Sequence, residues 1–270
     1  MTWLKDITGT EKAIIAMCHL MALPGDPYYN KEKGMDYVIE MAIKDLNSLQ
    51  EGGVDALMFS NEFSMPYLTD VRVETVAAMA RVIGEIKHYI KIPFGVNVLW
   101  DAKKSLDLAM ATDAQFVREI FSGVYASDFG LWNTNAGESV RHQYQIGAEK
   151  VRLIYNIVPE ASGYIANREV SEIAKSTVFN CRPDAICVSG SIAGAETKIE
   201  TLKAVKEVLP NTVVLSNTGV NLNNYASNLA IADGAIVGTT FKYDGVFINH
   251  VDRIRVKEFM DKVKEYRASK

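Results

Sequence analysis

No stretch of this 270-residue chain approaches the ~20 consecutive apolar residues of a membrane-spanning helix, so no membrane insertion is expected. The opening residues, MTWLKDITGTEK, are too polar for a secretory signal peptide. Cysteine is scarce: Cys18, Cys181 and Cys187 form neither a CxxC pair nor any other zinc spacing. Their odd count gives no disulfide framework and fits a reducing cytoplasm. Basic residues are not in excess, with 29 Lys and Arg against 33 Asp and Glu and a net charge of -4. No large basic excess is available to neutralise a nucleic-acid backbone, so no nucleic-acid partner is expected. A nucleophile elbow, a zinc signature, a P-loop and a GxGxxG turn are all missing. Their absence argues against serine hydrolases, zinc peptidases, NTPases and Rossmann dehydrogenases. No linker or low-complexity segment interrupts the chain, and residues 1–270 read as one domain.

What is present alternates. The chain is 48% hydrophobic and 23% charged, enough for a sizeable core. Short apolar runs occur at Ala13–Leu20, Ala56–Glu62, Phe94–Trp100, Phe116–Phe121, Val151–Val158, Ala185–Gly190, Val213–Asn217 and Ala235–Thr240. Amphipathic stretches separate them. The clearest are Met35–Gly53 with its Gly-Gly stop, Val73–Ile90 and Val251–Arg267. Strand and helix in alternation give a parallel sheet covered by helices. Eight such units in a chain near the typical ~250 residues predict an α/β fold, a (β/α)8 TIM barrel. Asp55, Asp113, Asp184 and Asp233 precede the second, fourth, sixth and eighth runs as a faint internal repeat. They fall at the bottom of such a barrel and read as turn and capping residues. Ser122–Ser139 is the longest stretch without periodicity and reads as a loop, with a lid as its expected use.

Catalysis in a parallel barrel happens at the C-terminal strand ends. This sequence places His19 there on the first strand and Glu62 after the second. Asn97 follows on the third, Arg118 and Glu119 on the fourth, and Asn156 on the fifth. Adjacent Arg118 and Glu119 cannot both face inward. His19 shares a face with Ile15 and Met17, while Cys18 turns to the helices; Glu62 shares one with Met58 and Ser60. The last runs end in small polar residues: Ser189 and Gly190, then Asn217 and Gly219, then Thr239 and Thr240, with Lys242 just beyond. Glycine lets backbone N–H groups approach an anion, and the loops after the last two barrel strands often hold phosphate.

The expected catalytic residues are therefore His19, Glu62, Glu119 and Asp128, the last from the long loop. Asn97, Asn156 and Lys242 are expected to bind substrate. Ser189, Gly190, Asn217, Gly219, Thr239 and Thr240 are expected to hold phosphate. The expected ligand is a phosphorylated small molecule. His19, Glu62 and Glu119 also make a candidate set for a divalent metal, which spacing alone leaves open. His88, His142 and His250 read as surface or packing residues, and Cys18 as a small buried hydrophobe.

Taken as a set, AMCHLMALPGDP, GGVDALMFSNEFSMPY, PFGVNVLWD, YASDFGLW, DAICVSGSIAG, LSNTGV and ADGAIVGTTFKYDG resemble the BtpA/SgcQ family almost end to end. The resemblance is nearest to its SgcQ branch, whose genes accompany sugar uptake and phosphosugar metabolism. It implies a TIM barrel of the ribulose-phosphate-binding kind. The family's histidine, its acidic position after the second strand and its loop aspartate fall on His19, Glu62 and Asp128. Its terminal glycine and threonine motifs fall on Gly219 and Thr239–Thr240. Cyanobacterial members implied in photosystem I assembly resemble R-V-N in the fourth strand, where this chain has Arg118-Glu119-Ile120. The function expected is that of a cytoplasmic, homo-oligomeric enzyme acting on a phosphorylated sugar or ribosyl phosphate by acid–base chemistry. Isomerisation, epimerisation and C–C lysis all fit. Cleavage of an N-glycosidic bond and a non-enzymatic assembly role are the alternatives.

Overall fold

The computed structural model describes residues 2–192 and 194–270. Among them the strands are β1 (Ala13–His19), β2 (Ala56–Ser60), β3 (Phe94–Asn97), β4 (Phe116–Glu119), β5 (Val124–Ser127), β6 (Gly130–Asn133), β7 (Arg152–Val158), β8 (Ser162–Tyr164), β9 (Ala185–Val188), β10 (Val213–Asn217) and β11 (Gly234–Val237). The helices are α1 (Trp3–Thr8), α2 (Gly34–Gly52), α3 (Val73–Ile86), α4 (Ala102–Thr112), α5 (Ala136–Gln145), α6 (Val170–Cys181), α7 (Ile199–Val208), α8 (Tyr225–Ile231) and α9 (Arg253–Ala268). Eight strands close a parallel barrel in the order β1-β2-β3-β4-β7-β9-β10-β11, with β11 returning to β1. These are the eight runs expected from the sequence. The architecture is the predicted (β/α)8 barrel. No described helix is long and apolar enough to cross a membrane.

Strand alternation sorts the core into two layers. Ile14, Ala16, Cys18, Leu57 and Phe59 face outward and pack with Leu46, Val82, Leu106 and Phe259 from the helices. Ile15, Met17, Met58, Phe116, Ile154, Leu215 and Ile236 fill the barrel interior. Both faces of every barrel strand are buried, which is why these runs are almost continuously apolar. Gly95 serves this filling directly. A Cβ there would lie 2.2 Å from the Phe116 ring, so only glycine lets that ring occupy the axis.

Helix α1 closes the bottom, with Leu4 in the interior layer and Trp3 Nε1 donating to the Asp184 carbonyl at 2.8 Å. Three of the repeated aspartates pin neighbouring strands. Asp55 accepts from Ile14 N at 2.7 Å, Asp184 from Leu153 N at 2.8 Å and Asp233 from Val214 N at 2.8 Å. Each also holds a basic side chain, respectively Arg267, Arg152 and Lys206. Asp113 departs from the pattern. It ends α4 in the left-handed region at φ 60, and its carboxylate pairs with Lys87 at the surface.

The mouth carries a feature that periodicity did not show. Ser122–Ser139, expected to be a loop, contains the hairpin β5–β6, and β8 adds to it in the order β6-β5-β8. Its aromatic face, built on Tyr125, Trp132, Phe129 and Tyr164, packs on Trp100 and Tyr67 at the barrel rim. The two-residue turn is Asp128-Phe129, which lacks the Asn-Gly or Asp-Gly signature of a sequence-legible hairpin.

Candidate active site at the barrel mouth

A cavity of about 520 Å³ opens at the C-terminal strand ends. His19, from the end of β1, sits in its wall with 4% of its side chain exposed. The Phe63 and Phe247 rings lie 6.0 and 5.5 Å from the imidazole, centroid to centroid. A Cβ on Gly238 would come within 3.2 Å of His19 Nε2, so glycine at that strand end leaves the imidazole its place. Nε2 is 4.0 Å from Glu62 Oε2, and Nδ1 is buried without a hydrogen-bond partner. Glu62 accepts from Ser60 Oγ at 2.9 Å, and Tyr67 OH donates to the Glu62 backbone carbonyl at 2.8 Å.

Burial sets the proton inventory of this pair. Desolvation, helped by Lys242 and Arg118, holds the His19 imidazole well below its ordinary range and therefore neutral at pH 7. Desolvation raises the Glu62 carboxyl, against the opposing pull of Arg118 and the Ser60 hydrogen bond. A neutral imidazole can accept a proton, and burial makes the Glu62 carboxyl a weaker acid than an exposed one. That combination is the equipment of general acid–base catalysis.

Arg118 and Glu119 divide as alternation requires. Arg118 points into the cavity, where Nε and Nη2 donate to Asn97 Oδ1 at 3.2 and 2.5 Å. Its Nη1 donates to Asn217 Oδ1 at 2.9 Å, and the guanidinium carbon lies 5.6 Å from the Trp100 ring centre. Asn217 Nδ2 continues to Ser189 Oγ at 2.6 Å and Glu160 Oε1 at 3.3 Å. Asn156 Nδ2 reaches the same serine at 3.0 Å and Glu160 Oε2 at 3.2 Å. Glu119 lies on the other side of Asn97, whose Nδ2 donates to it at 2.6 Å. It borders a separate cavity of about 330 Å³ under the β5–β6 hairpin. Burial pushes its carboxyl up to about 8, although Ile120 N also donates to it at 3.0 Å.

His19, Glu62, Asn217, Gly219, Thr239 and Thr240 thus line one cavity. The other residues expected at the site lie elsewhere. Asn97, Asn156 and Ser189 form the hydrogen-bonded layer behind the wall. Gly190 packs against the Ala195 backbone, 2.2 Å from where its Cβ would be. Asp128 is exposed on the hairpin turn and is not among the cavity residues. Lys242 is fully buried beside Asp45 of α2, 3.5 Å away, rather than reaching into the mouth. Asp45 also lies 3.3 Å from His250, and His142 pairs with Asp107 at 2.6 Å. The candidate metal set does not assemble: Glu119 is behind Asn97, and no group of three His, Cys, Asp or Glu among the described residues is placed to hold an ion.

The sequence reading passed over Glu160, Gly238 and Arg255, all on the cavity. Glu160 follows β7 by two residues, so the strand-end rule could have found it. Arg255 comes from α9, which that rule does not inspect; its Nε donates to the Thr240 carbonyl at 3.0 Å. Thr218 takes φ 101, rare for a β-branched residue, and its Oγ1 accepts from Gly190 N at 2.6 Å. Backbone outliers of this kind gather at functional sites.

A sequence model described as the BtpA family matches residues 10–265. The chain belongs to the BtpA family. Within it, the sgc region protein SgcQ of Escherichia coli (strain K12) is 62% identical over 267 residues, covering 99% of this chain and 100% of that protein. The photosystem I biogenesis protein BtpA of Synechocystis sp. is 27% identical over 264 residues, covering 97% and 91%. Among solved structures, (S)-3-O-geranylgeranylglyceryl phosphate synthase from Thermoplasma acidophilum, in complex with sn-glycerol-1-phosphate, superposes with a TM-score of 0.59. That match covers 99% of this BtpA-family chain and 98% of the synthase at 16% identity, a likeness of fold.

Proposed function

We propose that this BtpA-family barrel is an enzyme that binds a phosphorylated small molecule of the sugar-phosphate class and moves protons on it. The observation that carries the reading is the pairing of buried His19 with Glu62, 4.0 Å apart, in one cavity with Gly219, Gly238, Thr239 and Thr240. In this reading the phosphate sits in the loops after β10 and β11, where glycine opens the backbone and Arg255 adds charge. Binding energy from that remote group orients the reacting carbons. His19 takes the proton from a carbon beside a carbonyl, and Glu62 gives its own to the carbonyl oxygen. Returning the proton to the neighbouring carbon gives isomerisation, and returning it to the opposite face gives epimerisation. Cleaving the adjacent C–C bond instead gives lysis. The bound glycerol phosphate of the archaeal synthase is consistent with phosphate anchoring on this fold.

Glu62 and Glu160 line the same cavity, and a carboxylate pair favours one second reading, cleavage of an N-glycosidic bond. A pure assembly role, the one named for the Synechocystis relative, leaves the buried polar mouth without a use. A thermal-shift screen with sugar phosphates, nucleotides and inorganic phosphate separates these. At ~100 times its Kd a ligand stabilises the fold by about 2.7 kcal/mol. Selective stabilisation by a sugar phosphate is expected. A nucleotide-only response favours the glycosidic reading, and no response to any phosphate compound overturns the proposal.

A further inference from the structure

We infer that the substrate carries a second anionic group, a carboxylate at the end opposite its phosphate, and that Arg118 binds it. This extends the phosphate reading above and rests on that reading for half of its test. Arg118 is 4% exposed, yet no carboxylate among the described residues lies within 4 Å of its guanidinium. Its three hydrogen bonds go to the neutral amide oxygens of Asn97 and Asn217. A buried guanidinium normally has an anionic partner, because taking a bare charge out of water is costly. At the bottom of the same barrel the largely buried Arg267 follows that rule, paired with Asp55.

Donor arithmetic sharpens the assignment. A guanidinium has five N–H donors. Asn97 takes two, one each from Nε and Nη2, and Asn217 takes one from Nη1. One N–H is left on each terminal nitrogen, a pair that matches the two oxygens of a carboxylate. The Trp100 ring at 5.6 Å and the two asparagines fix the guanidinium plane. Arg118 lines the cavity together with His19 and Glu62, so a carboxylate held there leaves the adjoining carbon beside the proton-transfer pair. Glu160 does not neutralise the cation directly, since the Asn217 amide stands between them.

Matched ligands test this by calorimetry. 6-Phosphogluconate and sorbitol 6-phosphate differ by one terminal carboxylate in place of an alcohol, as do 3-phosphoglycerate and glycerol phosphate. The carboxylate member of each pair is expected to bind wild type roughly tenfold more tightly, as a bidentate charged pair warrants. Arg118→Met should erase that gap, read as the ratio of affinities within each pair. Where Arg118→Met fails to fold, Arg118→Lys carries the test, since it keeps a charge without the two-nitrogen fork and the gap should shrink. Equal affinity within both pairs, or a gap that survives both variants, overturns the inference. Non-phosphorylated gluconate against sorbitol separates the two readings. Arg118-dependent binding of gluconate with no response to any phosphate ester keeps the carboxylate site and removes the phosphate one. Binding of the esters with no carboxylate preference does the reverse, and no binding of any probe removes both.

Discussion

The two ends of the barrel treat charge in opposite ways. At the bottom, Asp55, Asp184 and Asp233 each accept a strand N–H and hold an Arg or Lys within 2.9 Å or closer. At the mouth, Arg118 hydrogen-bonds only to amide oxygens, His19 Nδ1 has no partner, and burial raises the Glu62 carboxyl. Satisfied groups hold a fold together, whereas unsatisfied ones destabilise it and await something that binds. The bottom is therefore built for stability, and the mouth keeps the unpaired polar groups on which the proposed ligand site rests.

The hardest blow to this contrast is Glu62→Gln. The glutamine fills the same space and still accepts from Ser60 Oγ, but it has no proton to give. Turnover on the substrate identified by ligand screening should fall about 10²–10⁴-fold, the usual worth of a general acid. Ligand-induced stabilisation should persist. Turnover within a few-fold of wild type would remove Glu62 from the chemistry.

Glu119 tests the contrast from behind the wall, through pH. Its folded carboxyl titrates near 8 against an ordinary 4.5. Below 4.5 folded and unfolded chains both hold the proton. Between 4.5 and about 8 only the folded chain keeps it, so unfolding releases a proton and stability falls as pH rises. Above about 8 that dependence ends. Urea denaturation at pH 5 and pH 8 should show wild type losing a few kcal/mol more than Glu119→Gln across the window. Parallel profiles would mean that Glu119 ionises freely in the fold.

At the bottom, Asp55→Ala strips the Ile14 N–H of its acceptor and Arg267 of its carboxylate, leaving the guanidinium the Lys12 carbonyl. Both are largely buried, and the expected cost is about 2–4 kcal/mol in denaturant unfolding. Catalysis should be untouched at temperatures where the variant is folded. Asp184 and Asp233 are 25% exposed against 12% for Asp55, so their alanine variants should lose less. Equal losses at all three would show that the strand N–H bond, and not the burial of its basic partner, sets the cost.

Period and position made most of this legible. Eight apolar runs gave the barrel strands to within a few residues, because strands buried on both faces must be apolar throughout. Strand-end polarity found His19, Glu62, Asn217, Gly219, Thr239 and Thr240, since a parallel barrel exposes those positions to its mouth. Three things escaped. The β5–β6–β8 sheet has four-residue and three-residue strands with partly exposed faces, too short to show a period. Lys242 looked like a substrate-binding residue by position, but a 3-10 turn at Thr239–Phe241 carries it behind the wall to Asp45. Arg118 was visible, yet its lack of a carboxylate is a fact of three dimensions.

Asp113 gives the smallest and most discriminating effect. The sequence repeat makes it equivalent to Asp55, Asp184 and Asp233. In the fold it occupies the left-handed C-cap of α4, its side chain is 81% exposed, and its partner is the surface residue Lys87. A residue in that conformation is held by backbone geometry more than by its carboxylate, and glycine or asparagine suits it equally well. Asp113→Gly should therefore change stability by no more than about 0.5 kcal/mol, and it relieves φ 60 at no steric cost. A loss comparable to that of Asp55→Ala would restore the fourfold equivalence. It would also show that the charge at the bottom of the barrel acts collectively and not bond by bond.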